Sequence, residues 1–184
     1  VTGRIPPAGR IRDIGLINWL VAKASSRTVG APQMHLFTVL GQHKRLWLAM
    51  MPYSGALLKG RLPSVDTELV ILRVAHLRSS EYELQHHTRL GRRRGLDNPT
   101  QHSIFAWPDP SDRLTPRQQA LLTATDEFIL QRSISDETWR QLAEYLDRRQ
   151  LIEFCLLAGQ YDGLAATMSA LELPLDHPRG REPL

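Results

Sequence analysis

The sequence predicts an all-α protein, and three observations carry that prediction. Apolar residues recur at three- and four-residue spacing along most of the chain, which is the period of one helix face. Proline, glycine and serine fall where those runs stop, as helix punctuation does. No stretch alternates apolar and polar residues over the length of a strand.

The elements follow in order. GRIPPAG, with Pro6 and Pro7, reads as an extended lead-in. From Asp13 to Arg27, the residues Ile14, Ile17, Leu20, Val21 and Ala24 keep helical spacing and predict a helix. A second apolar segment runs from about Leu36 to Lys59. Pro52 is expected to kink or divide it, because proline lacks the N–H and crowds the preceding turn. GRLP breaks the chain, and Ser64 is placed to cap a third helix over Val65–Leu77. A fourth helix runs from Glu81 to about Arg94 and stops at Gly95. LDNPTQHSIFAWPDPSDR, rich in Pro, Asp and Ser, reads as a long loop with one short turn. Thr115, Pro116 and Gln118 then supply an N-cap, a first-turn proline and the far side of a capping box. SDETWRQLAEYL restarts a helix with Trp139, Leu142, Ala143 and Leu146 on one face. The last helix, Gln150 to Leu171, is apolar nearly all round, the mark of a helix in a core or at a subunit contact. Gly159 and Gly163 would let another backbone approach it, and Pro174 ends it. The four tryptophans, Trp19, Trp47, Trp107 and Trp139, read as packing residues.

With 184 residues, 42% hydrophobic and 23% charged, the chain is expected to form one globular domain over 1–184, or at most two small ones. Residues 1–35 would form an N-terminal extension and first helix, and residues 64–96 the core motif. A net charge of +4 is too mild to argue for nucleic acid. Arg92, Arg93 and Arg94 sit in a last helical turn, where the dipole favours cations. The single cysteine, Cys155, rules out an internal disulfide and any Cys-x-x-Cys site. No apolar run approaches the ~20 residues that span a bilayer, and no signal peptide is recognised, so a cytoplasmic protein is expected.

SSEYELQHH, residues 79–87, reads in two ways. As a helix start, Ser80 followed three residues later by Glu83 is a capping box, and Glu81 and Glu83 complement the dipole. As a site, Glu83 and His87 are four apart and share a helical stripe. On the preceding helix Glu68 shares its stripe with Leu72 and Ala75, an odd place for a carboxylate unless a cation or donor answers it. A hairpin at Ser79-Ser80 would bring Glu68 towards Glu83 and His87. Two carboxylates and an imidazole at a partly dry junction can move protons. Tyr161 in GQY either presents its hydroxyl to a pocket or is a core aromatic with that hydroxyl satisfied. Glu83, His87, His76 and His86 are conceivable metal ligands, but His86 lies about 100° from His87 around the helix and no second cluster is evident. No metal or other cofactor is expected. No partners are argued for His35, His43, His102 or His177.

The stretch ELVILRVAHLRSSEYELQHHTRLGRRRGL, residues 68–96, resembles the carboxymuconolactone decarboxylase family, which also contains the alkylhydroperoxidase D-like proteins. The hydroperoxidase branch carries Glu, eleven residues, Cys, two residues, Cys, three residues, His. At the same spacing this chain has Glu68, Ser80, Glu83 and His87. Tyr82 stands where that branch has a histidine between its cysteines. SSEYELQHH is close to the decarboxylase branch's seyEw..H, with Leu84 for the tryptophan. The likeness extends over roughly residues 45–175.

It implies an alkylhydroperoxidase D-like helical bundle around a central hairpin, assembling as a trimer or hexamer, or a dimer, with its site near a subunit contact. It also implies acid–base chemistry on a small carboxylate, lactone or enolizable substrate, in the manner of a lyase. His87 would be the principal acid or base, Glu68 its orienting partner, and Glu83 a proton-sharing or positioning group. Tyr82, Ser80 and Tyr161 would contact substrate, with Arg73 and Arg89 the nearest cations for its carboxylate. Two alternatives stay open: an antioxidant peroxidase using Cys155 or a partner thiol, and a non-catalytic oligomer that binds a ligand or protein.

Overall fold

The computed structural model describes residues 3–29 and 34–176, and His177 lies outside them. Among the described residues there are ten helices and no strand. They are α1 (Ile11–Ile14), α2 (Leu16–Val29), α3 (His35–Leu40), α4 (Lys44–Leu58), α5 (Ser64–Leu77), α6 (Glu81–Arg93), α7 (Asn98–Ala106), α8 (Pro116–Gln131), α9 (Asp136–Ala143) and α10 (Arg148–Ala170). The chain divides into two compact units, Val1–Gly55 with Thr167–Leu184, and Ala56–Ala166.

In the first unit, the helix expected from Asp13 to Arg27 is two helices. Gly15 takes φ +84°, a conformation open to glycine, and separates α1 from α2. The apolar segment after Leu36 divides at Gly41–His43 rather than at Pro52. A Cβ on Gly41 would stand 2.3 Å from the Phe37 carbonyl oxygen, so the close turn needs glycine. Pro52 stays inside α4 because it lies on an exposed face, where the carbonyl of exposed Leu48 can turn to water. Trp47 is buried edge-on against Phe37, ring centroids 5.0 Å apart, beside Ala22 and Met34. Trp19 lies under the Lys23 ammonium at 4.7 Å. Asp176 receives the His35 backbone N–H and faces its Nδ1, both at 2.7 Å, a pairing that sequence reading did not find.

The second unit is built around α5, in which every residue from Asp66 to Ala75 is buried. Leu69, Ile71, Leu72, Leu121, Leu122, Phe154 and Leu157 form its core. Ser64 is the first helical residue and makes no cap, and the N-cap position belongs to Pro63. Glu153 of α10 instead accepts from the backbone N–H groups of Arg61 (2.7 Å) and Leu62 (3.0 Å).

Helix α5 ends in a Schellman turn. Ser79 adopts φ +51°, Ser80 N–H donates to the Ala75 carbonyl, and Ser79 N–H to that of His76. That reversal makes α5 and α6 the expected hairpin. The expected loop after Gly95 contains a true helix, α7. Asp97 caps it by accepting from Thr100 N–H at 2.8 Å, Pro99 occupies the first turn, and Ile104 is buried. Thr115 and Gln118 form the expected capping box on α8. On α9 and beyond, Leu142 and Leu146 are buried, whereas Trp139 and Ala143 face outward. Gly159 of α10 faces the Phe128 ring at 3.7 Å, so it accommodates a side chain rather than the expected backbone. Ile152 and Leu156 of α10 stay exposed (56% and 46%). No helix among the described residues is long and apolar enough to cross a membrane.

Candidate functional site

The hairpin brings Glu68 and His87 together. His87 Nδ1 lies 2.8 Å from Glu68 Oε2, with both side chains buried. A carboxylate can only accept, so Glu68 fixes the hydrogen on Nδ1 and leaves Nε2 as the basic nitrogen. Across from α6, the Tyr161 ring stands edge-on to His87, centroids 5.2 Å apart. Burial, followed by the nearby Glu68 and Glu83 carboxylates, pushes the Tyr161 phenol well above its ordinary pKa. It is therefore a neutral donor.

Glu83 is the unusual group. Its residue is 4% exposed, and both carboxylate oxygens are buried with no hydrogen-bond partner among the described residues. The capping box with Ser80 does not form, and Ser80 holds the N-cap position without a side-chain bond. Glu83 points inward instead of back along the helix. Burial raises its pKa from 4.5 to about 7. A proton on the His87 ring and the Ser80 hydroxyl pull it back in part, Ser80 without closing a bond of ordinary geometry, while Asp162 pushes it further up. At neutral pH this carboxyl is divided between acid and base forms, one helical turn from an oriented imidazole.

A pH dependence of stability follows from that shift. The folded-state pKa of Glu83 lies above its unfolded value, so ionisation favours the unfolded chain. The contribution is neutral below about pH 4.5, and stability falls as pH rises towards about 7. A shift of this size corresponds to roughly 3 kcal/mol. Urea unfolding at a series of pH values should show that decline, and Glu83→Gln should flatten it. An unchanged slope in the variant would assign the decline elsewhere.

The remaining nominated residues separate. Tyr82 is buried with its ring edge-on to His86 at 5.0 Å. Arg73 is not available to a substrate. Its guanidinium grips Asp126 in a fork (2.6 and 2.7 Å) and donates to the carbonyls of Ile104, Phe105 and Trp107. Arg89 is two residues beyond His87 and so turns to another side of α6. Cys155 is half-buried on α10, and burial raises its thiol pKa.

Sequence reading missed a cluster beside the site. Asp162, next to Tyr161, accepts from Arg78 Nε at 2.5 Å and from Arg132 Nη1. Burial alone would raise its pKa, but the two arginines outweigh that and hold it below the usual carboxylate range. The signal was a lone aspartate in the apolar run LLAGQYDGLAA. Among the described residues, no three His, Cys, Asp or Glu side chains converge to hold a metal. Cavities of about 860 Å³ (around Trp107, His102 and Arg113) and 310 Å³ (around Trp19, Ile14 and Met34) lie elsewhere, and neither is lined by Glu68, Glu83 or His87.

An all-helical unit with an α5–α6 hairpin, a glutamate on one arm and a histidine on the other has the alkylhydroperoxidase D-like fold. Residues 44–127 match the model of the carboxymuconolactone decarboxylase family, a little under half of the chain. No curated protein matches the chain. Its structure is similar to an alkylhydroperoxidase AhpD core, an uncharacterized peroxidase-related protein from Ralstonia eutropha JMP134 (TM-score 0.81, 13% identity, covering 95% of this chain and 93% of that one). It is also similar to the debrominase Bmp8, solved as a cysteine-to-alanine variant with 2,3,4-tribromopyrrole (TM-score 0.75, 15% identity, 92% and 89% coverage). A third similar structure is an uncharacterized peroxidase-related protein from Silicibacter sp. TM1040 (TM-score 0.69, 14% identity, 91% of each chain). At these identities the likeness concerns the fold.

Proposed function

We propose that this protein is an acid–base enzyme that moves a proton at a carbon next to a carbonyl or carboxylate, in a decarboxylase-like reaction on a small carboxylate, lactone or enolizable compound. The observation that carries this reading is Glu83, a buried carboxyl with no hydrogen-bond partner among the described residues, beside an imidazole whose Nδ1 is already held by Glu68. An unpaired buried acid costs stability, and such costs concentrate where a group must be poised near the working pH. His87 Nε2 takes or returns the carbon-bound proton. Glu68 stabilises the imidazolium that forms, and neutral Glu83 and Tyr161 supply hydrogen bonds to the oxygen where enolate charge develops.

A thiol peroxidase at this site has no sulfur to use. Ser80 and Glu83 form neither thiolate nor disulfide, and Cys155 sits on α10 with its thiol pKa raised. The same reading makes the chain a homo-oligomer, with exposed Ile152 and Leu156 of α10 as candidates for the contact.

The test is deuterium exchange at carbon, followed by proton NMR over a panel of small oxo acids and lactones in D2O. The unaltered chain should accelerate exchange for at least one class, and Glu83→Gln should slow it and remove its pH dependence near neutrality. No acceleration for any compound would contradict the proposal.

A further inference from the structure

The cluster beside the site adds a selectivity to the chemistry. From Glu68 in α5 to Arg78 at its C-cap is ten residues, or about 15 Å, and α6 doubles back along α5. His87 stands opposite Glu68, so Glu83, one turn earlier, lies nearer the Arg78 end. On α10 the order is the same. Tyr161 faces His87, and Asp162 beside it meets Arg78 and Arg132. The groups thus form a row, with Glu68, His87, Glu83 and then the arginine pair.

Two guanidinium groups share the one Asp162 carboxylate, which is ionised, so the cluster keeps a net positive charge. Arg78 is occupied, donating to Asp162 and to the Ile129 carbonyl. Arg132 is different. It closes α8 in a left-handed conformation (φ +60°), its side chain is 68% exposed, and among the described residues Nη1 to Asp162 is the one hydrogen bond that side chain makes. Asp162 holds it in place with the other edge of its fork open. A planar fork held at one edge is suited to an oxyanion at the other.

We propose that Arg132, steadied by Asp162 and backed by Arg78, binds an anionic oxygen group of the ligand and sets which compounds reach Glu83 and His87. Arg132 is then a specificity-determining residue, and this inference rests on the proton-transfer reading for what happens next. The ligand's charged end lies at Arg132 and its reacting carbon further along the row. A carboxylate and a phosphate share this chemistry, and the experiment separates them.

The experiment is titration calorimetry of the full chain with maleate, its neutral dimethyl ester and inorganic phosphate, repeated with Arg132→Gln and Arg132→Lys. Maleate should bind and its diester should not. Arg132→Gln should weaken maleate about tenfold or more, and Arg132→Lys, which keeps the charge but loses the fork, by less. Phosphate binding that disappears in Arg132→Gln, without maleate binding, would keep the anion site and make phosphate esters its ligands. Equal binding of maleate by Arg132→Gln and the unaltered chain, or binding of neither anion, overturns the proposal. Its failure is separable from that of the proton-transfer reading. Exchange on a neutral lactone does not need Arg132, and anion binding does not need exchange.

Discussion

Replacing His87 with alanine is expected to lower catalysed carbon exchange by about 10²–10⁴-fold, the range for loss of a positioned general acid–base. Alanine also strips Glu68 of its partner. A buried carboxylate left unpaired costs roughly 1–3 kcal/mol, so a fall in stability should accompany the loss. His87→Gln separates the two effects. Its amide can donate to Glu68 but cannot take up a proton, so activity should be lost while most of the stability returns. Exchange rates by NMR and urea midpoints on both variants check this. Activity in His87→Gln comparable to that of the unaltered chain would remove His87 from the chemistry and leave its hydrogen bond with Glu68 as packing.

Replacing Arg73 with alanine is expected to destabilise the second unit by about 3–5 kcal/mol. One guanidinium joins three elements. It forks onto Asp126 of α8, and it satisfies the carbonyls of Ile104, Phe105 and Trp107 at the end of α7. Truncation leaves a carboxylate and three carbonyls without their donor, and α5 loses its tie to both neighbours. Lysine keeps the charge but lacks the fork, so Arg73→Lys should recover only part of the loss. Urea unfolding followed by circular dichroism measures both. A cost below about 1 kcal/mol for Arg73→Ala would mean that water replaces the guanidinium, as it does for exposed ion pairs.

These two residues show where sequence reading works and where it stops. The Thr115, Pro116, Gln118 start of α8 was legible because a cap is decided within one turn. The pairing of Glu68 with His87 was legible because helix spacing and one hairpin determine it. The box of Ser80 and Glu83 has the same local pattern as the one at Thr115, yet it stays open. What differs is tertiary: the Glu83 side chain turns into a buried space shared with His87, which no local rule encodes. Asp97, Pro99 and Thr100 carry a helix signal that the surrounding prolines and aspartates outweigh, so by sequence the stretch of α7 reads as loop.

By sequence Arg73 reads as a cation for the substrate, because it lies near the motif in the chain. Its partner Asp126 is 53 residues away, beyond any local pattern. The same holds for Asp162, whose arginines stand 84 and 30 residues from it. Long-range charge pairing is a property of the folded surface and becomes visible only when helices are placed together.

The central claim is that Glu83 is a buried acid poised near neutrality beside an oriented imidazole. Carbon-13 NMR of the glutamate side-chain carboxyls, with Glu83 assigned by its loss in Glu83→Gln, tests that claim most directly. Titrated across this range, the Glu83 signal should move with a midpoint near 7. A midpoint near the ordinary 4.5 would show a solvated or paired carboxylate and would contradict the account.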